Sequence, residues 1–220
     1  MIAGTGRLLA RTMRDVTAVA AEDLATERVS SYNVFPSPVA SVYNKPAKTQ
    51  FVCIASGKGG TGKTVVTTNL AITLSQLGLK VLLLDADMGL ANAHLLLGVT
   101  PSFDISSVLK ENKKIGEIIL ECRENLSLVS GGSGFSELSE LDTREVLKLA
   151  NELETCEDDF DIVLVDLSAG IHPQVMRFLG AAHEVILVTT PDVTALLDAY
   201  ATIKSMANTD EHVSTKIIIN

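Results

Sequence analysis

Tryptophan is absent from this 220-residue chain, and aromatic residues make up only 4% of it. Its core must therefore be built from Leu, Ile, Val and Ala, in keeping with a hydrophobic fraction of 46%. Charged residues amount to 20%, an ordinary fraction for a globular protein. Because a chain of this length can bury a substantial core, we expect one large domain or two small ones.

Cysteine is also scarce, and Cys53, Cys122 and Cys156 form no C-x-x-C pair. An odd number of unpaired positions argues against a disulfide framework and against an Fe–S scaffold. No apolar run approaches the ~20 residues that span a bilayer, and no secretory cleavage pattern follows the first arginines. We therefore expect a reduced, cytoplasmic protein.

Positive charge is deficient overall, because the net charge is −9. Residues 1–50 hold six Lys or Arg against four Asp or Glu, a balance of +2, whereas residues 51–220 hold twelve against twenty-three, a balance of −11. A general nucleic-acid binder needs a basic face, so specific nucleic-acid binding is not expected. The asymmetry marks the N-terminal segment as a different kind of sequence.

Two regions follow from this pattern. Residues 1–49 are predicted to be an extension and linker, with a weak helical pattern over residues 8–24 and then Pro36, Pro38 and Pro46. That pattern fits one short helix or a disordered extension. Residues 50–220 are predicted to form a single domain, for the reasons below.

From Gln50 onward, strand and helix signals alternate. Short apolar runs occupy 51–56, 80–87, 126–132, 161–170, 184–192 and 215–219, with helical spacing at 64–77 and a capping box opening a helix at 142–154. Continuous apolar strands indicate burial on both faces and hence a parallel sheet. The predicted fold is α/β, a doubly wound, mostly parallel sheet with helices on both faces, which binds ligands at the carboxyl ends of its strands.

The segment "GKGGTGKT" at 57–64 matches the phosphate-loop pattern GxxxxGK[ST] completely, with a strand before it and a helix after it. Glycines allow backbone N–H groups to converge on phosphate oxygens at the helix N-terminus. Lys63 is expected to neutralise the β- and γ-phosphates, and the Thr64 hydroxyl to bind Mg²⁺. The predicted nucleotide-binding residues are Gly57, Lys58, Gly59, Gly60, Thr61, Gly62, Lys63 and Thr64.

A phosphate loop that uses Mg²⁺ needs nearby carboxylates, because this ion prefers hard oxygen ligands. Asp85 and Asp87 end one predicted strand, and Asp166 ends another. We expect Thr64, Asp85 and Asp166 to form the metal site and Asp87 to orient the attacking water. The alternative is that these acids only cap the turns that follow their strands.

Five segments carry a family resemblance: "KGGTGKT", "LLLDADMGLANAHLLLG", "GGSGFSEL", "DIVLVDLSAGI" and "VTTPDVTALLDAYATIK". Together they resemble the deviant Walker A ATPases of the MinD/ParA superfamily, and within it the FlhG/FleN flagellar-number regulators. The resemblance covers residues 50–220 and implies ATP and Mg²⁺ as cofactors and slow ATP hydrolysis that controls dimerisation.

The same resemblance assigns roles to individual residues. It implies that Lys58 reaches the phosphates of a partner's ATP in a sandwich dimer, although a contact with its own subunit's phosphates stays open. It also implies that Lys63 and Asp87 share in catalysis, that residues 166–170 form switch II, and that Asn220 lies near the adenine. Pro191 and Asp192 are expected at the nucleotide site or the dimer face.

Three departures from the family limit the functional expectation. Residues 1–50 lack the Asp-Gln-Ala motif with which FlhG-like proteins stimulate a partner GTPase, and Leu167-Ser168 replaces the usual switch II residues. The family's amphipathic membrane-targeting helix comes well beyond the position of Asn220, so we expect the chain to be truncated and membrane contact only if such a helix follows. Localisation is then cytoplasmic, or peripheral at the inner face of the membrane.

By resemblance, the expected function is control of flagellar number or placement through an ATP-dependent homodimer. The expected partners are an FlhF-like SRP-type GTPase and flagellar basal-body proteins. A MinD-like division-site regulator is the first alternative. A ParA-like partition ATPase, disfavoured by the acidic charge, and a non-hydrolysing interaction module follow it.

Overall fold

A computed structural model describes residues 46, 48–87, 91–111, 113–132, 148–149, 152–153, 155, 159–207 and 213–220. All of them except Pro46 belong to one unit, Ala47–Asn220. The sequence patterns at residues 8–24 and at "SGFSEL" lie outside the described residues, as does most of the helix predicted for 142–154. Leu149 and Leu153 in that predicted helix are helical and buried.

The described elements alternate between strand and helix along the chain. The strands are β1 (Gln50–Ala55), β2 (Val81–Ala86), β3 (Leu120–Arg123), β4 (Leu126–Val129), β5 (Ile162–Leu167), β6 (Glu184–Thr189) and β7 (Ser214–Ile219). The helices are α1 (Lys63–Gln76), α2 (Ala93–Leu97), α3 (Ile105–Lys110), α4 (Ile115–Ile118), α5 (Pro173–Ala181) and α6 (Val193–Ala207). β1, α1 and β2 begin and end within one residue of their predicted bounds.

The seven strands form one sheet in the order β3-β4-β2-β5-β1-β6-β7. Every neighbouring pair is parallel except β3 and β4, which are antiparallel. β2, β5 and β6 are buried along their whole length, as continuous apolar runs in a covered sheet require. The predicted α/β fold with a mostly parallel sheet is confirmed.

Alternate strand residues point to opposite faces of the sheet and meet different helices. One face packs against α3–α6 in a single cluster that includes Leu84, Val165, Val185 and Leu187. Helix α1 contacts β1, β2, β4 and β5, and its buried Leu70 and Leu74 are not part of that cluster, so α1 covers the other face. Among the described helices, none has the length and apolarity to cross a bilayer.

The topology brings the predicted site residues to one edge of the sheet. The chain leaves the carboxyl end of β1 into the phosphate loop, and the ends of β5 and β6 flank this point. In the register of β2 and β5, Asp85 is paired with Asp166. The strand order reverses direction at β1. Open α/β sheets bind ligands at the carboxyl ends of the strands beside such a reversal.

Candidate nucleotide-binding site

The loop between β1 and α1 has the backbone shape that its glycines predict. Gly60 and Gly62 have φ angles of +79° and +84°, a left-handed conformation that glycine adopts at little cost. Gly57 is needed for a different reason, because a Cβ there would lie 2.4 Å from the backbone carbonyl of Asp198 in α6. The loop is thus fitted closely between β1 and α6 before it enters α1.

Lys63, the first residue of α1, is buried against the end of β5. Its Nζ donates to Oδ1 of Asp166 at 2.8 Å, and the two side chains are 7% and 1% exposed. The Thr67 hydroxyl lies one turn along α1 and within hydrogen-bond distance of two acceptors, Oδ1 of Asp166 at 3.0 Å and the Lys63 carbonyl at 2.9 Å. The carboxylate charge of Asp166 is therefore balanced by the loop lysine.

The other oxygen of Asp166 makes the site suitable for a cation. Oδ2 is buried and has no hydrogen-bond partner among the described residues. A buried acceptor without a partner is costly, and a metal ion or its water would satisfy it. Thr64 lines the adjacent cleft, whose walls are Ser56, Gly59, Gly60, Thr61, Gly62, Lys63, Thr64, Val65, Asp87 and Ala169. These residues fit the predicted nucleotide and Mg²⁺.

Asp85 is fully buried, and backbone groups occupy both of its oxygens. Oδ1 accepts from the Asp87 N–H at 3.2 Å, and Oδ2 accepts from the Ala93 N–H at 2.9 Å. Burial raises the pKa of Asp85 from 3.8 to about 6, although the bond from Ala93 opposes the shift. Asp85 therefore connects the segment after β2 to α2, which is the capping role that the sequence left open, and its predicted metal contact stays a prediction.

Asp87 lines the same cleft as the phosphate loop. Partial burial raises the pKa of its carboxyl, and the nearby charge of Lys63 limits the rise. The cleft thus brings together four predicted residues, Lys63, Thr64, Asp87 and, through its bond to Lys63, Asp166. Their predicted chemical roles stay predictions.

Lys58 differs from Lys63 in its exposure and in its partners. Its side chain is 45% exposed and does not belong to the set of described residues that line the cleft. Its Nζ donates to Oδ2 of Asp192 at 3.0 Å and to Oγ1 of Thr194 at 2.7 Å. The two lysines of the loop therefore have separate carboxylate partners, one buried and one exposed.

Asn220 follows β7 and contacts the same loop. Its Nδ2 donates to the Thr61 carbonyl at 3.0 Å, and its backbone N–H donates to Thr189 at the end of β6. A Cβ on Gly62 would lie 2.3 Å from that Nδ2. Asn220 therefore packs against the phosphate loop itself, and its predicted contact with adenine stays a prediction.

The segment after β5 is also joined to the loop. The Gly170 N–H donates to the carbonyl of Ser56, the residue that precedes Gly57, at 2.9 Å. Gly170 has a φ of +98°, so only glycine adopts this conformation without strain.

Sequence reasoning missed Thr67 and Thr194. Thr67 lies four residues after Lys63, a spacing that puts both side chains on one face of a helix, so helical periodicity could have found it. Thr194 carries no comparable signal, because its role arises from a contact with Lys58, 136 positions away.

Comparison with known proteins places this geometry in a family. A protein-family model described as an AAA domain matches residues 49–219. The solved structure of the septum site-determining protein MinD from Pyrococcus horikoshii, in complex with Mg-ADP, superposes with a TM-score of 0.67 at 30% identity, covering 78% of this chain and 70% of that one. The chain belongs to the MinD/ParA family of P-loop ATPases.

Two curated members of this family are similar over most of the chain. The flagellum site-determining protein YlxH of Helicobacter pylori is 40% identical over 172 residues, which are 78% of this chain and 58% of that protein. The antiactivator FleN of Pseudomonas aeruginosa is 38% identical over 155 residues, which are 70% of this chain and 55% of that protein. The chain therefore spans rather more than half the length of these relatives.

Proposed function

We propose that this protein is an ATP-dependent dimerisation switch with slow ATPase activity. The observation that carries the proposal is the contrast between the two lysines of one phosphate loop. Lys63 is buried at the cleft and suits a nucleotide bound by its own subunit, whereas the ammonium of Lys58 lies outside the cleft wall. A second cation in that position suits a nucleotide held by a facing subunit, as arginine fingers do in related chemistry.

In this proposal each residue of the cleft has a role that follows from its position. Backbone N–H groups of the glycine-rich turn would hold phosphate oxygens at the N-terminus of α1. Lys63 would exchange Asp166 for a phosphate oxygen, which frees Oδ1 of Asp166 beside its unpaired Oδ2. Thr64 and Asp166 would then hold Mg²⁺, which when bound neutralises the charge of the phosphates. Asp87 would accept a hydrogen bond from the attacking water.

The process that we propose is control of flagellar number or placement. Its support is the similarity to YlxH and FleN, at 40% and 38% identity. The proposed partners are a second copy of this chain, an FlhF-like SRP-type GTPase and flagellar basal-body proteins. A MinD-like division-site role is the second candidate, favoured by the similarity to archaeal MinD. The net charge of −9 disfavours a ParA-like role on DNA.

The switch is tested by measuring mass and turnover on the same samples. Light scattering behind size exclusion should give a monomer with ADP and a dimer with a non-hydrolysable ATP analogue and Mg²⁺. Phosphate release from ATP should be measurable and should require Mg²⁺. A chain that neither hydrolyses ATP nor changes mass would be an inert module, and the proposal would be wrong.

The process requires a separate test in cells. Expression in Pseudomonas aeruginosa that lacks FleN should restore flagellar number, counted by electron microscopy, and Lys63→Ala should not restore it. If flagella stay unchanged but the position of the division septum shifts, the MinD-like role replaces the flagellar one.

A further inference from the structure

Thr67 is a buried residue of α1 whose hydroxyl has two acceptors within reach and a single proton to donate. Its Oγ1 lies 2.9 Å from the Lys63 carbonyl and 3.0 Å from Oδ1 of Asp166. The first contact joins a threonine to the carbonyl four residues earlier, as threonine often does in a helix. Because α1 fixes the position of Oγ1, a turn of the hydroxyl about its C–O bond is enough to change the acceptor.

The two oxygens of Asp166 have different surroundings. Nζ of Lys63 lies 2.8 Å from Oδ1, beside the Thr67 hydroxyl, whereas Oδ2 is buried and has no partner among the described residues. One oxygen therefore faces donors of the protein, and the other is left for a further ligand. As long as Lys63 stays in place, its ammonium balances the carboxylate charge, and the Thr67 proton is free to bond to the Lys63 carbonyl.

Nucleotide binding changes this balance. In the function proposed above, Lys63 moves from Asp166 to a phosphate, and of the two described donors at Oδ1 only Thr67 is left. A hydrogen bond to an ionised acceptor is roughly twice as strong as a neutral one, so the carboxylate then competes with the Lys63 carbonyl for the proton. The Thr67 hydroxyl turns to Oδ1, and its Oγ1 needs no displacement to do so.

We propose that Thr67 is a positioning residue for Asp166. It holds Oδ1 once Lys63 has moved to the nucleotide, and it leaves Oδ2 as the acceptor for Mg²⁺ or for water bound to that ion. This inference rests on the proposed function, and Thr67 acts in it through Asp166. Groups that orient a metal ligand in this way contribute about 10- to 100-fold to metal affinity.

The test measures how strongly Mg²⁺ assists the binding of ADP, by isothermal titration calorimetry in Mg²⁺ and in EDTA. ADP is the probe because the proposed dimer requires a triphosphate, so association does not enter the measurement. Since the binding of two ligands is linked, the ratio of the two ADP dissociation constants changes between variants by the same factor as the Mg²⁺ affinity of the protein–ADP complex. Thr67→Val, which keeps the shape of the side chain without its hydroxyl, should lower this ratio about 10- to 100-fold.

Thr68→Val is the matched control. Thr68 is the next residue of α1 and is also buried, and its hydroxyl has no hydrogen-bond partner among the described residues. The same replacement at this position should leave the ratio at its wild-type value.

Two further variants at Thr67 separate the hydroxyl from the packing of the side chain. Thr67→Ser keeps the hydroxyl and should keep the wild-type ratio. Thr67→Ala removes the hydroxyl with a smaller side chain and should repeat the loss, including the case in which Thr67→Val does not fold. A purely structural role would lower the free energy of unfolding without changing the ratio, because both titrations use folded protein.

Three results would overturn the positioning role. They are a wild-type ratio in both Thr67→Val and Thr67→Ala, an equal loss in Thr68→Val, or an equal loss in Thr67→Ser. If Mg²⁺ does not assist ADP binding by the wild-type chain, the metal site of the proposed function is wrong instead. The two failures therefore appear in different samples of the same experiment.

Discussion

The ammonium of Lys63 lies 2.8 Å from Oδ1 of Asp166, and both side chains are buried between α1 and β5. Removing one member of a buried ion pair leaves the other charge without compensation, which costs about 3–5 kcal/mol. Lys63→Ala should therefore lower the free energy of unfolding by that amount in urea denaturation without nucleotide. The double variant Lys63→Ala/Asp166→Ala should recover part of the loss. Asp166→Ala completes the cycle, and a loss in the double variant equal to the sum of the two single losses would show that the pair contributes no coupling.

Asp85 should give the protein a specific pH dependence of stability. The pKa of the Asp85 carboxyl is 3.8 in its ordinary, unfolded environment and about 6 in the folded protein. Folding therefore takes up a proton at pH values between 3.8 and 6. Its contribution to the free energy of unfolding is therefore greatest below about pH 4, falls as the pH rises through 6, and is lower above it by up to about 3 kcal/mol.

Asp85→Asn removes this titration, because the amide stays neutral. The change in unfolding free energy between pH 4.5 and pH 7.5 should be more negative in the wild type than in Asp85→Asn. Parallel pH profiles for the two proteins would contradict the raised pKa.

Two glycines of the phosphate loop should respond differently to alanine. A Cβ on Gly57 would meet the Asp198 carbonyl at 2.4 Å, whereas a Cβ on Gly59 has nothing within 4 Å among the described residues. Gly57→Ala should lower the free energy of unfolding by about 1–3 kcal/mol through forced backbone movement. Gly59→Ala, the matched control, should stay within about 0.5 kcal/mol of wild type. Thermal unfolding without nucleotide measures both.

Asp87→Ala should separate hydrolysis from association. Asp87 lines the cleft and has no role in the ion pair of Lys63, so nucleotide binding should survive its loss. Single-turnover phosphate release should fall about 100-fold or more, while light scattering should still detect a dimer with ATP. Glu121→Gln, an exposed change on β3, should alter neither measurement. Normal phosphate release from Asp87→Ala would remove that residue from catalysis.

Much of this architecture was predictable because it follows from local patterns. A continuous apolar strand such as Val81–Ala86 must be covered on both faces, and that requirement led directly to a parallel sheet. The phosphate loop was predictable because residues 57–64 match a known pattern, and Gly60 and Gly62 tolerate the left-handed backbone that the loop adopts. The meeting of Asp85 and Asp166 followed from parallel strands whose ends share one edge.

The unpredicted features depend on contacts between distant parts of the chain. The antiparallel strand β3 is short and alternates between partial burial and exposure, so it carries no continuous apolar signal. Lys58 and Asp192 meet only because β6 lies beside β1 and starts α6 next to the loop. Asn220 touches Thr61 for a similar reason, through the end of β7. The spacing of these residues along the sequence does not predict that they come into contact.

The bond from the Gly170 N–H to the Ser56 carbonyl has a mechanical consequence. It fastens the segment that follows Asp166 to the residue at which the phosphate loop leaves the sheet. A displacement of either segment by more than a fraction of an ångström must carry the other with it or break this one link. The rate at which the Gly170 amide exchanges with deuterium should therefore report whether the phosphate loop and the segment after Asp166 move together or separate.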